Sequence, residues 1–190
     1  MLRVYLTLIL AILLLILQAP HRCQAAFDPK DPRVEDRLAI ADLVTKYCTA
    51  VDQRDFKKFK ELFTQDAVLD YSANWGQGSG HVNVMAKQLE DALSLFSASI
   101  HFWSNLDIEF TGPNSAKARY LLDNPMFLKG LPRVALLTIY GYYNHELVKD
   151  ANGVWRSKHM SMEITSPFEH QLLVLIVIIV LLWRTRRRHN

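Results

Sequence analysis

The chain has 190 residues, half of them hydrophobic, and a formal net charge of +3. That length suits one ordinary domain with a real core. The positive charge sits at the ends: setting aside Arg3, Arg22 and the four arginines of 184–188 leaves 16 basic residues against all 19 acids. The domain itself is therefore slightly acidic, and no basic stripe runs along it, which argues against nucleic-acid binding.

The opening segment is built like a secretory leader. Met1-Leu2-Arg3 is basic, residues 4–17 are apolar except for Thr7, and Cys23-Gln24-Ala25 offers a small-x-small exit. The apolar run is short for a membrane span, so residues 1–25 are expected to be a signal peptide, with an uncleaved N-terminal anchor as the alternative. Cys48 is then the one cysteine of the domain. It makes no internal disulfide and reads as a small buried hydrophobe, so packing must hold the fold.

The domain is expected over 26–168. Asp28, Pro29, Asp31 and Pro32 make an extended lead-in. From Val34 to Val51 apolar residues recur at helical spacing, and Phe56, Phe59, Leu62 and Phe63 mark one side of a second helix. Residues 67–71 read as a short strand, and 72–80, with Gly76, Gly78 and Gly80, as a loop. A third helix is expected over 82–96, with Val84, Met85, Leu89, Leu93 and Phe96 on its apolar face. Strands follow at 100–110, 116–127, 134–148 and 154–165, the last two joined by an Asn152-Gly153 turn. Three helices followed by long antiparallel strands is an α+β plan: a cone-shaped barrel in which N-terminal helices pack on a curved sheet around a cavity.

Residues 169–190 close the chain. An uninterrupted apolar run of 12 residues, Leu172 to Trp183, precedes Arg184-Thr185-Arg186-Arg187-Arg188. The run is below the usual span of about 20 residues. It has no polar face, ends in an interfacial tryptophan and is followed by a basic cluster. A short single-pass anchor is expected, with the domain in the secretory pathway on the lumenal or extracellular side and the basic tail cytoplasmic.

The order Tyr47, Asp52-Gln53-Arg54-Asp55, Phe63-Thr64-Gln65-Asp66-Ala67, Asp70-Tyr71, His101-Phe102, Tyr140-Gly141-Tyr142-Tyr143 and Gly153-Val154-Trp155-Arg156 resembles the SnoaL-like branch of the nuclear transport factor 2-like superfamily. Scytalone dehydratases and bacterial polyketide cyclases are the catalytic relatives by pattern. The resemblance covers about 34–165 and implies a cone-shaped barrel with a deep pocket. In the family's dehydratases the pocket holds an aspartate near the end of the first helix, a tyrosine on the first strand and a histidine at the start of a later strand. Matched by motif, these fall on Asp52, Tyr71 and His101. The resemblance implies no cofactor and no metal. His81, His145 and His159 also lack a partner at ligand spacing.

The chemistry of these residue types fits the resemblance. A histidine gives or takes a proton near neutral pH, an adjoining carboxylate can fix its tautomer, and a phenol can donate to an oxygen that gains charge. Asp52 has a second reading, as the cap of the helix that begins near Asp55. Strand alternation places His101 on the face opposite Ile100 and Phe102, and one of those faces is the cavity. Tyr47, Phe63, Trp103, Tyr120, Asn124 and Tyr142 are expected to wall the substrate pocket. Scytalone dehydratases carry a second catalytic histidine where this chain has Tyr120 to Met126, without one. A dehydratase, isomerase or cyclase acting on a small apolar carbonyl or polycyclic compound is the first reading. A non-catalytic carrier, or an interaction module that dimerises through its sheet face, is the alternative.

Overall fold

The computed structural model describes residues 31–73, 78–130 and 137–165. Two compact units divide the chain, residues 1–34 and 35–190. Of the first, only 31–34 are described, a turn in which Asp31 Oδ1 accepts the Arg33 N–H at 2.8 Å. The expected leader over 1–25 and the tail over 169–190 lie outside the described residues. No described helix is long and apolar enough to cross a membrane.

Helix α1 (Val34–Asp52) buries Ile40, Leu43, Val44, Tyr47, Cys48 and Val51, the three- and four-residue spacing of one helical face. Helix α2 (Phe56–Glu61) is capped by Asp55, whose carboxylate accepts the Lys58 N–H at 3.0 Å, and it buries Phe56 and Phe59. The chain then forms β1 (Phe63–Asp70), β2 (Ser79–His81), α3 (Val82–Leu93), β3 (Phe96–Ser99), β4 (Phe102–Gly112), β5 (Ser115–Leu128), β6 (Leu137–Lys149) and β7 (Trp155–Ile164).

The seven strands make one sheet, in the order β2-β1-β7-β6-β5-β3, with β4 also paired to β5. β3 and β4 lie end to end along β5, at Met126–Leu128 and Ser115–Asp123 respectively. All pairs are antiparallel except β1–β7, which is parallel. β1 follows the first two helices while β7 is the last described strand in the chain, so their pairing joins distant parts of the sequence. Bulges at 104–107, 110–112 and 146–147 bend the long strands, adding twist that curls the sheet around the helices.

Two apolar clusters fill the concave side. The larger gathers the C-terminal half of α1, α2, α3 and the inner residues of β1, β5, β6 and β7. The smaller sets Ile40 and Leu43 of α1 against Ala116, Ala118, Leu147 and Trp155. Asp36 pins α1 to the β6–β7 hairpin: its carboxylate accepts Trp155 Nε1–H at 2.9 Å and pairs with Lys149 at 2.7 Å. The Asn152-Gly153 turn forms as expected, with Gly153 at φ +80° and the Asp150 carboxylate accepting the N–H groups of Asn152 and Val154.

Three element boundaries differ from the expectation. The first strand starts at Phe63 rather than 67, because Leu62 C=O and Phe63 engage Ser157 on β7. Helix α3 ends at Leu93, and Phe96–Ser99 becomes a strand because β5 supplies its ladder partners. Ser79 and Gly80, expected as loop, pair with β1 together with His81.

Candidate active site

The site forms where the edge strand is interrupted. Ile100 N–H donates to Pro125 C=O at 3.1 Å, but Pro125 has no N–H to return to the Ile100 carbonyl. Asn124 fills that gap, its Nδ2 donating to Ile100 C=O at 2.9 Å. Strand alternation turns the next N–H, that of His101, away from β5 to the open edge. Asp52, at the end of α1, receives it: His101 N–H donates to Asp52 Oδ2 at 2.8 Å.

The same carboxylate holds the ring. His101 Nδ1 lies 2.6 Å from Asp52 Oδ1, and Ser99 Oγ donates to that oxygen at 3.3 Å. A carboxylate at a helix C-terminus opposes the macrodipole by about 0.3–1 kcal/mol. Hydrogen bonds to a charged group contribute about 1.5–3 kcal/mol each, so this three-donor cradle outweighs the dipole. The helix-capping role falls instead to Asp55. With Oδ1 accepting, the proton of a neutral His101 belongs on Nδ1, and Nε2 carries the lone pair. Nε2 has no hydrogen-bond partner among the described residues. The His101 side chain is 5% exposed, whereas its neighbours Ile100 and Phe102 face solvent.

His101 lines a cavity of about 120 Å³ whose other polar walls are Tyr47, Tyr71, Asn124 and Tyr143. Val51, Leu89, Leu93, Met126, Ile139 and Met162 are among the apolar residues that line the rest. The Tyr47 and Tyr71 hydroxyls are 2.9 Å apart, and the Tyr143 ring meets Tyr47 edge-on at 5.3 Å. Burial pushes all three phenols well above the ordinary tyrosine range, so they stay protonated as donors. Burial, with the Asp52 charge beside it, pushes the Cys48 thiol up to about 12, which leaves it inert as a nucleophile.

Asp52, His101 and Tyr71 thus converge on one place, joined by Tyr47 and Asn124 from the expected wall. Four other expected wall residues lie outside the cavity lining. Phe63 packs on Phe59 and Tyr47 in the core. Tyr120 is fully buried and stacks on His145, and Trp103 sits edge-on to Tyr120 at 6.4 Å. Tyr142 is on the outer face under the Arg119 guanidinium, 4.0 Å from the ring centre, because alternation along β6 turns Tyr143 inward. Ser99 and Arg54 are the members of this neighbourhood that sequence reasoning missed, and Tyr143, whose type reads as packing or pocket wall, takes the lining position expected of Tyr142. Two adjacent tyrosines gave no signal as to which faces in, and Ser99 falls in the short link between the expected third helix and the expected strand. Among the described residues no cluster of histidine, cysteine and acidic side chains could hold a metal ion.

A curled α+β cone with a histidine–carboxylate pair at its cavity defines the class of the protein. The chain belongs to the SnoaL-like domain family, whose model matches residues 32–161, within the nuclear transport factor 2-like superfamily. A Mycobacterium tuberculosis protein of unassigned function is 32% identical over 123 residues, 65% of this chain and 81% of that protein. Terrestric acid biosynthesis cluster protein E of Penicillium crustosum is 30% identical over 144 residues, 70% of this chain and 86% of that protein. Among solved structures, a candidate scytalone dehydratase of Novosphingobium aromaticivorans matches with a TM-score of 0.62 at 22% identity, over 70% of this chain and 87% of that one. A hexachlorocyclohexane dehydrochlorinase of Novosphingobium barchaimii matches at 0.61 and 20% identity, over 70% and 89%. The structural likenesses establish the fold.

Proposed function

We propose that the domain is a cofactor-free enzyme that moves a proton on a small apolar carbonyl compound held in the cavity. The observation that carries this reading is the 2.6 Å contact between Asp52 Oδ1 and His101 Nδ1 at the wall of an apolar cavity. His101 Nε2 takes the proton from the carbon between the carbonyl and a β,γ double bond; the C–H pair becomes a new C=C bond and the carbonyl π pair moves onto its oxygen, giving a dienolate. Tyr71, backed by Tyr47, donates to that oxygen. The imidazolium, stabilised by Asp52, returns the proton at the γ carbon of the dienolate, and the carbonyl re-forms as the conjugated isomer.

Two features narrow the chemistry. A cavity of this size is on the order of one six-membered ring, which favours a monocyclic ligand over a polycyclic one. Loss of water needs an acid for the departing hydroxide, and from Tyr120–Met126, where the two-histidine dehydratases carry their second histidine, the cavity is lined by Asn124 and Met126, neither with a titratable proton. Isomerisation or cyclisation is therefore favoured over dehydration. The fungal relative's place in terrestric acid biosynthesis supports a small-molecule substrate. The apolar runs over 4–17 and 172–183 support a membrane-held domain in the secretory pathway, which alkaline extraction of membranes would test.

The test is isomerisation of a panel of monocyclic β,γ-unsaturated ketones, followed by the absorbance of the conjugated product, with the wild type and His101→Gln. The expected loss in the variant is about a hundredfold or more. Equal rates, or no turnover by the wild type, would leave a binding cavity without this chemistry.

A further inference from the structure

Behind the Asp52–His101 pair stands a second layer that the proposed reaction does not itself invoke. We propose that Arg54 and Ser99 form a positioning pair that fixes the Asp52 carboxylate against His101 and tempers its charge, an inference that rests on His101 acting as the base. Arg54 adopts φ 60°, a left-handed conformation that is unfavourable for a residue with a side chain. Held there, its guanidinium folds back over the end of α1. Nη1 donates to Val51 C=O at 2.8 Å and to Ser99 Oγ at 2.7 Å. Because Ser99 Oγ accepts from Arg54, its own hydroxyl proton is directed to Asp52 Oδ1. Ser99 is itself buried, 3% exposed, so this orientation is shielded from water.

The chain of donors runs one way: guanidinium to hydroxyl to carboxylate. Asp52 therefore meets a cation through one intervening hydroxyl on one side and the imidazole on the other. That arrangement does two things. It gives Asp52 Oδ1 a second donor, which stops the carboxylate rotating away from the ring. It also offsets part of the negative charge that stabilises the imidazolium, keeping His101 from becoming too strong a base to release its proton. The other groups facing this cluster are the phenols of Tyr47, Tyr71 and Tyr143, the Cys48 thiol and the neutral Asn124 amide. The phenols and thiol are held uncharged by burial, which leaves Arg54, of these described groups, as the cation that acts on the pair.

The experiment is a pH titration of the His101 ring nitrogens by 15N NMR in the full chain, for the wild type, Arg54→Met, Arg54→Lys and Ser99→Ala. The expected wild-type ring is the Nδ1–H tautomer when neutral. In Arg54→Met and in Ser99→Ala the titration midpoint should rise by about half a pH unit or more, and Arg54→Lys should restore most of the wild-type value. Ser99→Ala supplies the same readout should Arg54→Met fail to fold. Unchanged midpoints in folded variants would overturn the positioning role alone. A wild-type neutral ring protonated on Nε2 would overturn the reading of His101 as base, and the positioning role with it.

Discussion

Asp52 grips His101 twice, through Oδ1 to the ring Nδ1 at 2.6 Å and through Oδ2 to the backbone N–H at 2.8 Å. One carboxylate thus sets the ring's tautomer and satisfies an edge-strand donor. Asp52→Asn keeps the shape but must place its NH2 towards one of the two donors. Turnover should fall by about a hundredfold or more, with stability lowered by about 1–3 kcal/mol. Steady-state kinetics and urea unfolding on the same samples measure both. A loss of stability without loss of turnover would make Asp52 a purely structural residue.

Asn124 and Pro125 form a compensating pair. Asn124→Ala removes the donor to Ile100 C=O and should cost about 1–3 kcal/mol, since that carbonyl then lacks a partner. Adding Pro125→Ala restores a backbone N–H at the position that faces Ile100. The double variant should therefore be more stable than the sum of the two single changes, as read by a urea-unfolding double-mutant cycle. Simple additivity would mean that Asn124 does not replace the ladder bond.

His145 gives the fold an acid-sensitive point. Ser157 Oγ donates to His159 C=O at 3.0 Å, so it accepts from His145 Nδ1, and the Tyr120 hydroxyl lies 3.3 Å from Nε2. Burial, with the charge of His159 adding to it, pushes His145 down to about 3. The unfolded chain binds this proton near pH 6.5 while the folded chain does not. Stability should then be full above that range and fall as pH drops towards 3, by about 1.4 kcal/mol per unit. Between pH 7 and pH 5 the wild type should lose about 2 kcal/mol more than His145→Gln, measured by urea midpoints at each pH. Equal losses would place a charged or solvated imidazole there.

Gly141 marks a close approach between β6 and β7. A Cβ at that position would stand 2.0 Å from the Glu163 carbonyl oxygen. That atom is backbone and cannot swing aside, so Gly141→Ala should lower stability by about 1–3 kcal/mol or more. A lowered thermal midpoint checks this; an unchanged one would show that the strands can separate without cost.

Elements set by local rules were legible in the sequence. The 3.6-residue periodicity of α1 and the Asn-Gly turn of the last hairpin needed no long-range information. The placing of Asp52, Tyr71 and His101 in one neighbourhood came from the family resemblance. What stayed hidden depends on partners far along the chain. β3 is a strand because Met126–Leu128 pairs with it, and β1 starts early because Ser157 lies beside it. The choice of Tyr143 over Tyr142 is a question of register, which adjacent tyrosines leave open. The left-handed Arg54 is invisible to propensity because tertiary hydrogen bonds hold it there.

The most direct measurement is solvent deuterium exchange into the carbon beside the carbonyl of small cyclic ketones, followed by 1H NMR in D2O. It reads proton abstraction alone, without requiring the natural substrate's full reaction. The expected result is wild-type exchange above the buffer rate for at least one ring-sized ketone, falling about a hundredfold or more in His101→Gln. Exchange at the buffer rate across the panel, or exchange undiminished in His101→Gln, would contradict a proton-abstracting role for this histidine.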